Sequence, residues 1–159
     1  MMALVADTGP LNYLIQIEGV VFLPDLFYHV SIPDGVFREL TALAAPASVR
    51  NWASQLPAWC SVHIPQRSRL TTCPGLSPVD VEVLALATNG NAAVLLDDLA
   101  ARNAARRLGL TLIGTLGVLE LAAAKQLLSF PEFIKRLRRT NIHTSETLYA
   151  EALRRSASR

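Results

Sequence analysis

Short apolar runs alternate with longer stretches of helical periodicity along this chain, and two of the short runs end in aspartate. That alternation is the pattern of βαβ units, in which each strand feeds a helix that crosses back to a parallel neighbour. Residues 3–6 read as a first strand ending at Asp7, and Pro10 opens a helix with Leu11, Leu14 and Ile15 on one face. Residues 20–27, interrupted by Pro24, read as a short helix, and residues 29–32 as a second strand closed by Pro33. Asp34 caps a helix to about Leu43, and residues 46–56 and 61–64 read as a helix and a short strand. Residues 66–75 hold the Ser, Thr, Arg, Pro and Gly of a loop. Ser77-Pro78, with acidic Asp80 in the first turn, starts a helix that ends near Asn89-Gly90. Residues 93–96 form a strand running into Asp97-Asp98, followed by a helix through Leu108 and a last strand at 110–113. Helices from Thr115 to about Lys125, at 131–139 and at 145–155 close the chain. The expected architecture is α/β: three layers, α/β/α, around a mostly parallel sheet of four to five strands.

A length of 159 residues suits one domain spanning the chain, with residues 154–159 as a flexible Arg/Ser tail. Hydrophobic residues make up 51%, enough for a real core. Cys60 and Cys73 stand in no metal-ligand spacing and are too few for a disulfide framework, which fits a reducing cytoplasm. No basic stretch precedes the N-terminal apolar run, and nothing approaches the ~18 unbroken apolar residues of a membrane span. Charge is divided unevenly. Residues 1–100 carry four Lys/Arg against nine Asp/Glu, a balance of −5, and residues 101–159 carry eleven against four, a balance of +7. A basic half beside an acidic one suits a polyanion held near an acidic site. Clustered arginines (Arg102, Arg106, Arg107, Arg136, Arg138 and Arg139) are equally consistent with solvated helix faces.

In an open parallel sheet, ligands bind beyond the carboxyl ends of the strands. Asp7 and Asp97-Asp98 stand at such ends. Two helix acids join them by periodicity. Val36, Leu40 and Leu43 form an apolar stripe whose i+3 slot is Glu39, and Val83, Leu84 and Ala87 form another whose first slot is Asp80. An inward carboxylate without a partner is costly, and several such acids meeting at one place would suit a hard divalent ion, Mg²⁺ or Mn²⁺. Each has a simpler reading when taken singly. Asp7 can cap the following helix, Asp80 can complement a helix dipole, and Glu39 can pair with a nearby arginine at the stripe's edge. Thr115 after Gly114 is read chiefly as a helix cap. Glu82, His29, His63 and His143 are read as structural, since no two histidines share a ligand spacing.

Two enzyme classes fail at Asp7. The triplet Asp7-Thr8-Gly9 matches that of aspartic proteases, but those are β-rich, and here Pro10 leads straight into a helix. Aspartyl phosphotransfer of the haloacid-dehalogenase type wants a second Asp two residues on, where this chain has Gly9.

The motifs in order resemble a PIN domain. They are Ala6-Asp7-Thr8, Pro33 with Phe37-Arg38-Glu39-Leu40, the stretch from Leu76 to Ala87, and the stretch from Val94 to Arg102. The run Asp7-Thr8-Gly9-Pro10-Leu11 and the run Gly114-Thr115-Leu116-Gly117-Val118-Leu119 are similar to a bacterial and archaeal sub-branch close to VapC-type toxins. The resemblance covers residues 4 to about 153. It implies catalytic acids at Asp7, Glu39, Asp80 and Asp98, with Asp97 joining or replacing Asp98 as metal ligand, and Thr8 and Thr115 in support. It implies Mg²⁺- or Mn²⁺-dependent hydrolysis of RNA phosphodiesters by a cytoplasmic toxin, a cognate antitoxin and a homodimer. Arg102 and Arg106, on the helix after Asp98, would then steer the RNA backbone. One departure bears on activity: Val79-Asp80 stands where the sub-branch has Gly-Glu, so the carboxylate is one methylene shorter. A catalytically weak or inactive PIN-like module that binds RNA or an antitoxin is the alternative from another functional class.

Overall fold

The computed structural model describes residues 1–66 and 75–158. Nearly all of the expected loop at 66–75, with Cys73, lies outside the described residues. Five strands form one parallel sheet: β1 (Leu4–Ala6), β2 (Val30–Pro33), β3 (Cys60–His63), β4 (Ala93–Leu95) and β5 (Leu112–Ile113), in the order β3-β2-β1-β4-β5. β1 pairs with β2 on one side and with β4 on the other, in register Val5↔Ser31 and Val5↔Val94. β1 and β4 are buried at every residue, as expected of central strands covered on both faces. The result is the three-layer α/β/α arrangement read from the sequence.

The first crossovers build the sheet one way from β1, and the later ones build it the other way. α1 (Thr8–Gln16), α2 (Leu23–Leu26) and the 3₁₀ turn at Val20–Phe22 link β1 to β2. α3 (Asp34–Thr41) and α4 (Ala47–Ser54) link β2 to β3. α5 (Pro78–Gly90) carries the chain back across to β4, and α6 (Leu99–Arg107) links β4 to β5. The order therefore reverses between β1 and β4, which opens a crevice at their carboxyl ends. Asp7 and Asp97 follow those two strands directly or nearly so. The chain closes with α7 (Thr115–Ala124), α8 (Phe130–Arg138) and α9 (Glu146–Ala157).

α5 packs across β1, β2 and β4 through Val83, Leu84 and Ala87, each 0–1% exposed. The stripe inferred from periodicity is thus the buried one. On α3 the reading needs correction. Val36 and Leu40 are buried together with Gly35, but Leu43 lies beyond the helix end and is 90% exposed. Gly35 is there because α3 and α5 approach closely: a Cβ at this position would overlap Glu82 Oε2 and press on Val79 Cγ2 at 3.1 Å.

One helix start and one helix end also differ from expectation. α1 begins at Thr8, two residues before Pro10, because Asp7 caps it, and a proline in the first turn gives up no intrahelical bond. α9 runs on to Ala157, through most of the expected tail. Arg155 there makes a forked pair with Glu120 of α7, at 2.6 and 3.2 Å, a contact that composition cannot reveal. In α9, Tyr149 is buried while Leu148 is half exposed. No helix among the described residues is long and apolar enough to cross a membrane. Cys60 is buried, which pushes its thiol up to about 12 and makes it unreactive.

Because α5 holds three strands at once, Leu84→Ala should cost about 2–5 kcal/mol. At roughly 2–4 °C per kcal/mol for a chain of this size, Tm should fall on the order of 10 °C in thermal denaturation.

Candidate active site at the sheet switch point

The end of β1 places Asp7 where the chain turns into α1, and Asp7 Oδ1 accepts the Thr8 backbone N–H at 2.8 Å. This single cap leaves Oδ2 without a donor among the described residues. Burial raises the Asp7 carboxyl from 3.8 to about 7. The Thr8 N–H opposes that rise, while the charges of Asp80, Glu39 and Asp97, in that order, add to it. Those three acids converge on Asp7 from α5, α3 and the end of β4. The Glu39 carboxyl is also raised, first by partial burial and then by Asp80 and Glu82, with the Thr8 hydroxyl pulling the other way.

Each predicted acid has a distinct setting. Glu39 lies on the exposed border of α3 and not in its buried stripe. It faces the cluster because α3 ends close to α1. Asp80 sits in a reciprocal capping box: Ser77 N–H donates to Asp80 Oδ2 at 3.0 Å, and Asp80 N–H to Ser77 Oγ at 3.1 Å. Capping does not take Asp80 away from the other acids, since its charge still reaches Asp7 and Glu39. Asp97 and Asp98 separate cleanly. Asp98 caps α6 through Ala101 N–H at 3.0 Å, whereas Asp97 acts on Asp7.

Asp97 is held by Thr115, whose backbone N–H and hydroxyl donate to its two oxygens at 2.9 and 2.5 Å. The cap position of α7 belongs to Gly114, so Thr115 is not the N-cap expected from sequence; it is a buried donor inside the first turn. Gly114 is required by close approach, because a Cβ would lie 2.9 Å from Asp97 Oδ1 and 2.8 Å from Arg102 Nη1. Arg102 is half-buried and donates to the Leu96 carbonyl at 2.8 Å, bracing the end of β4. Arg106 is exposed and turned to Asn103. Other arginines of the basic half are also engaged within the protein. Arg136 donates to the Ile17 carbonyl and lies over Phe133, and Arg138 pairs with Glu146 over Tyr149.

Glu82 is the residue that sequence reasoning passed over. Among the described residues, the buried side-chain oxygens without a hydrogen-bond partner are Glu82 Oε2 and Thr8 Oγ1, and both adjoin Glu39. The sequence signal was Gly35, whose missing Cβ makes room for Glu82. The histidines remain apart from the cluster: His29 and His63 both direct Nε2 at Ser61 Oγ, at 2.7 and 2.8 Å. Among the described residues, no three His, Cys, Asp or Glu side chains are gathered tightly enough to hold a metal ion as they stand. The donor set nevertheless suits a hard cation. It is all oxygen and mutually repelling, and it adjoins Glu82 Oε2, a buried oxygen without a partner among the described residues.

Two grooves open beside the cluster. One adjoins Thr8 and Glu39, the other Asp97 and Thr115. The connection between α8 and α9 serves both, with residues 139–141 lining the first and 142–144 the second.

The profile of the PIN-domain family matches residues 3–158. The chain belongs to the PIN-domain family. PIN domains are generally nucleases. A solved PilT N-terminus domain protein from the hyperthermophilic archaeon Sulfolobus solfataricus P2 is similar over 91% of this chain and all of its own, with a TM-score of 0.51 and 14% identity. At that identity the likeness concerns the fold. No curated protein matches the sequence.

The raised Asp7 carboxyl has a signed consequence. The unfolded chain releases this proton near 3.8, whereas the folded chain keeps it until about 7. The metal-free fold should therefore lose stability as pH rises from roughly 4 to 7 and level off above. Asp7→Asn keeps the cap and removes the charge, so its urea midpoint should change less between pH 5 and pH 8 than that of the natural chain. Parallel pH profiles would contradict the assignment. Thr115→Val, which strips a buried donor from Asp97, should cost about 1–3 kcal/mol in the same measurement.

Proposed function

We propose that this PIN domain is a metal-dependent endoribonuclease that hydrolyses RNA phosphodiester bonds, with Asp7, Glu39, Asp80 and Asp97 as its acidic set. The observation that carries this reading is the convergence of Asp80, Glu39 and Asp97 on the buried Asp7 at the β1/β4 switch point, where burial first, and then their charges, raise its carboxyl to about 7. Carboxylates crowd in this way at a cost that a cation would relieve.

Asp7 Oδ2 and Asp80 Oδ1, neither with a donor among the described residues, and the carboxylate of Glu39 are the oxygens that would hold Mg²⁺ or Mn²⁺. Asp97 offers the remaining lone pairs of oxygens oriented by Thr115. When bound, such a cation lowers the pKa of water and offsets charge gathering on the phosphate. Thr115 fixes Asp97, the capping box fixes Asp80, the Thr8 N–H fixes Asp7, and the α5 packing fixes the spacing between helices, so little reorganisation is left for the reacting state. Asp98 is left out of this set because its carboxylate serves α6.

A weaker or silent module remains the second reading, favoured by one observation: an Asp80 oxygen is committed to Ser77. The resemblance to VapC-type toxins extends the proposal to a toxin in the cytoplasm with an antitoxin partner, and to a homodimer. What supports a protein partner is the pair Leu99 and Leu148, 69% and 50% exposed on the groove beside Asp97.

Incubation with a mixed RNA pool should give cleavage with Mn²⁺ or Mg²⁺ and none in chelator. Asp97→Asn should lose on the order of 100-fold or more, while Asp98→Asn should stay near the natural rate, since Asn caps a helix as well as Asp does. Cleavage persisting in chelator would overturn the mechanism, and no cleavage with any metal would favour the silent module. Divalent affinity should also fall about tenfold per pH unit below 7, because binding must displace the Asp7 proton; calorimetry at pH 6 and 7 measures it.

A further inference from the structure

A phosphodiester cleaved inside a polymer needs a path for the strand on leaving the acids, and the first surface beyond Thr8 and Glu39 is a groove of about 640 Å³. One wall, from Leu40 to Val49, is apolar, and the other two carry polar side chains. α1 contributes Asn12, Tyr13 and Gln16, and the α8–α9 connection faces them with Arg139, Thr140 and Asn141. Gln16 Nε2 donates to Asn12 Oδ1 at 3.1 Å. That bond fixes both amides and leaves the Asn12 amino group and the Gln16 carbonyl to face a ligand. Tyr13 is half-buried, its ring anchored against the core at one side. Arg139 is exposed and makes no side-chain hydrogen bond or ion pair among the described residues, unlike Arg136 and Arg138 on the same helix end. The groove runs on past Gln16 and Arg139 into a smaller cleft of about 300 Å³ that these residues share.

We propose that this groove carries an unpaired RNA strand away from the acidic cluster, with Tyr13 as the stacking platform for a base and Arg139 as the anchor for a neighbouring phosphate. An aromatic face accepts any base but only an unstacked one, so the groove selects single strands over duplex. An unengaged guanidinium pairs with a phosphate without reading sequence. The fixed amides of Asn12 and Gln16 face the base edges, where discrimination would arise. The proposal rests on the nuclease reading, and it moves RNA contact from Arg102 and Arg106, which are turned to Leu96 and Asn103, to α1 and the α8–α9 connection.

The test uses Tyr13→Ala, Tyr13→Phe and Arg139→Gln in the full chain, with thermal midpoints to show that each is folded. Two measurements are made: KM and kcat on a single-stranded RNA oligomer with Mn²⁺, and chelator-held binding of the labelled oligomer by fluorescence anisotropy in an Asp7→Asn background. Tyr13→Ala should raise KM and Kd about 5- to 100-fold, with kcat falling by less, and Tyr13→Phe should restore both. Arg139→Gln should reduce the slope of log K against log salt by about 0.7. The same oligomer as a duplex should bind more weakly and respond to neither variant. Unchanged Kd and KM in a protein that cleaves RNA would overturn the path alone and leave the groove to a peptide. Variant-sensitive binding without cleavage by the natural chain would overturn the nuclease reading and leave the path standing. No binding of single-stranded RNA at all would overturn the path.

Discussion

Crowded like charge at the end of a buried strand governs this structure. Asp7 sits where burial alone disfavours ionisation, and three further carboxylates deepen the penalty. No purely structural requirement calls for four acids there, since one would cap α1. A fold optimised only for stability would have dispersed them. The sheet topology pins them because its order reverses between β1 and β4, so Asp7 and Asp97 emerge at one crevice and α3 and α5 bring Glu39 and Asp80 to its rim.

The same side chains do two tasks. Asp7 and Asp80 cap the helices they precede or begin, and Asp97 binds the N-terminus of α7 across the sheet through Thr115. Helix N-termini carry unsatisfied N–H groups that favour anions. Using them to orient acids costs little and fixes each carboxylate by one oxygen while sparing the other. Asp97 is the exception: both its oxygens are engaged, and its position depends on Gly114 having no side chain.

Much of this was legible in the sequence, for physical reasons that also mark where legibility stopped. Strand order along the chain, the α5 stripe and the strand-end acids depend on local periodicity and turn chemistry, and they stand as read. Glu39 lies beside the other acids for a reason that periodicity does not give: its helix stops at Thr41, so the stripe through Leu43 does not exist, and Glu39 reaches the cluster from an exposed border. The choice between Asp97 and Asp98 is invisible to spacing, because adjacent residues at a strand end diverge only once Thr115, eighteen residues on, supplies donors to one of them. Glu82 was passed over because a helix acid normally faces water. Its burial follows from Gly35 on a different element, a pairing that only tertiary structure brings together. The arginines show the converse failure. Net charge marked them as polyanion contacts, and several turn out to be packed on carbonyls, carboxylates and rings.

The connection between α8 and α9 lies outside the sheet and carries none of the acids, yet residues 139–144 of it border the crevice on both sides. The acids and part of the surface that borders them are thereby encoded in separate stretches of chain. The acids are fixed by strands and caps whose alteration would disturb the core, whereas the connection is free to vary without moving any of them. On the proposed nuclease reading, a change of target needs only that short segment to change, while the acids keep their places.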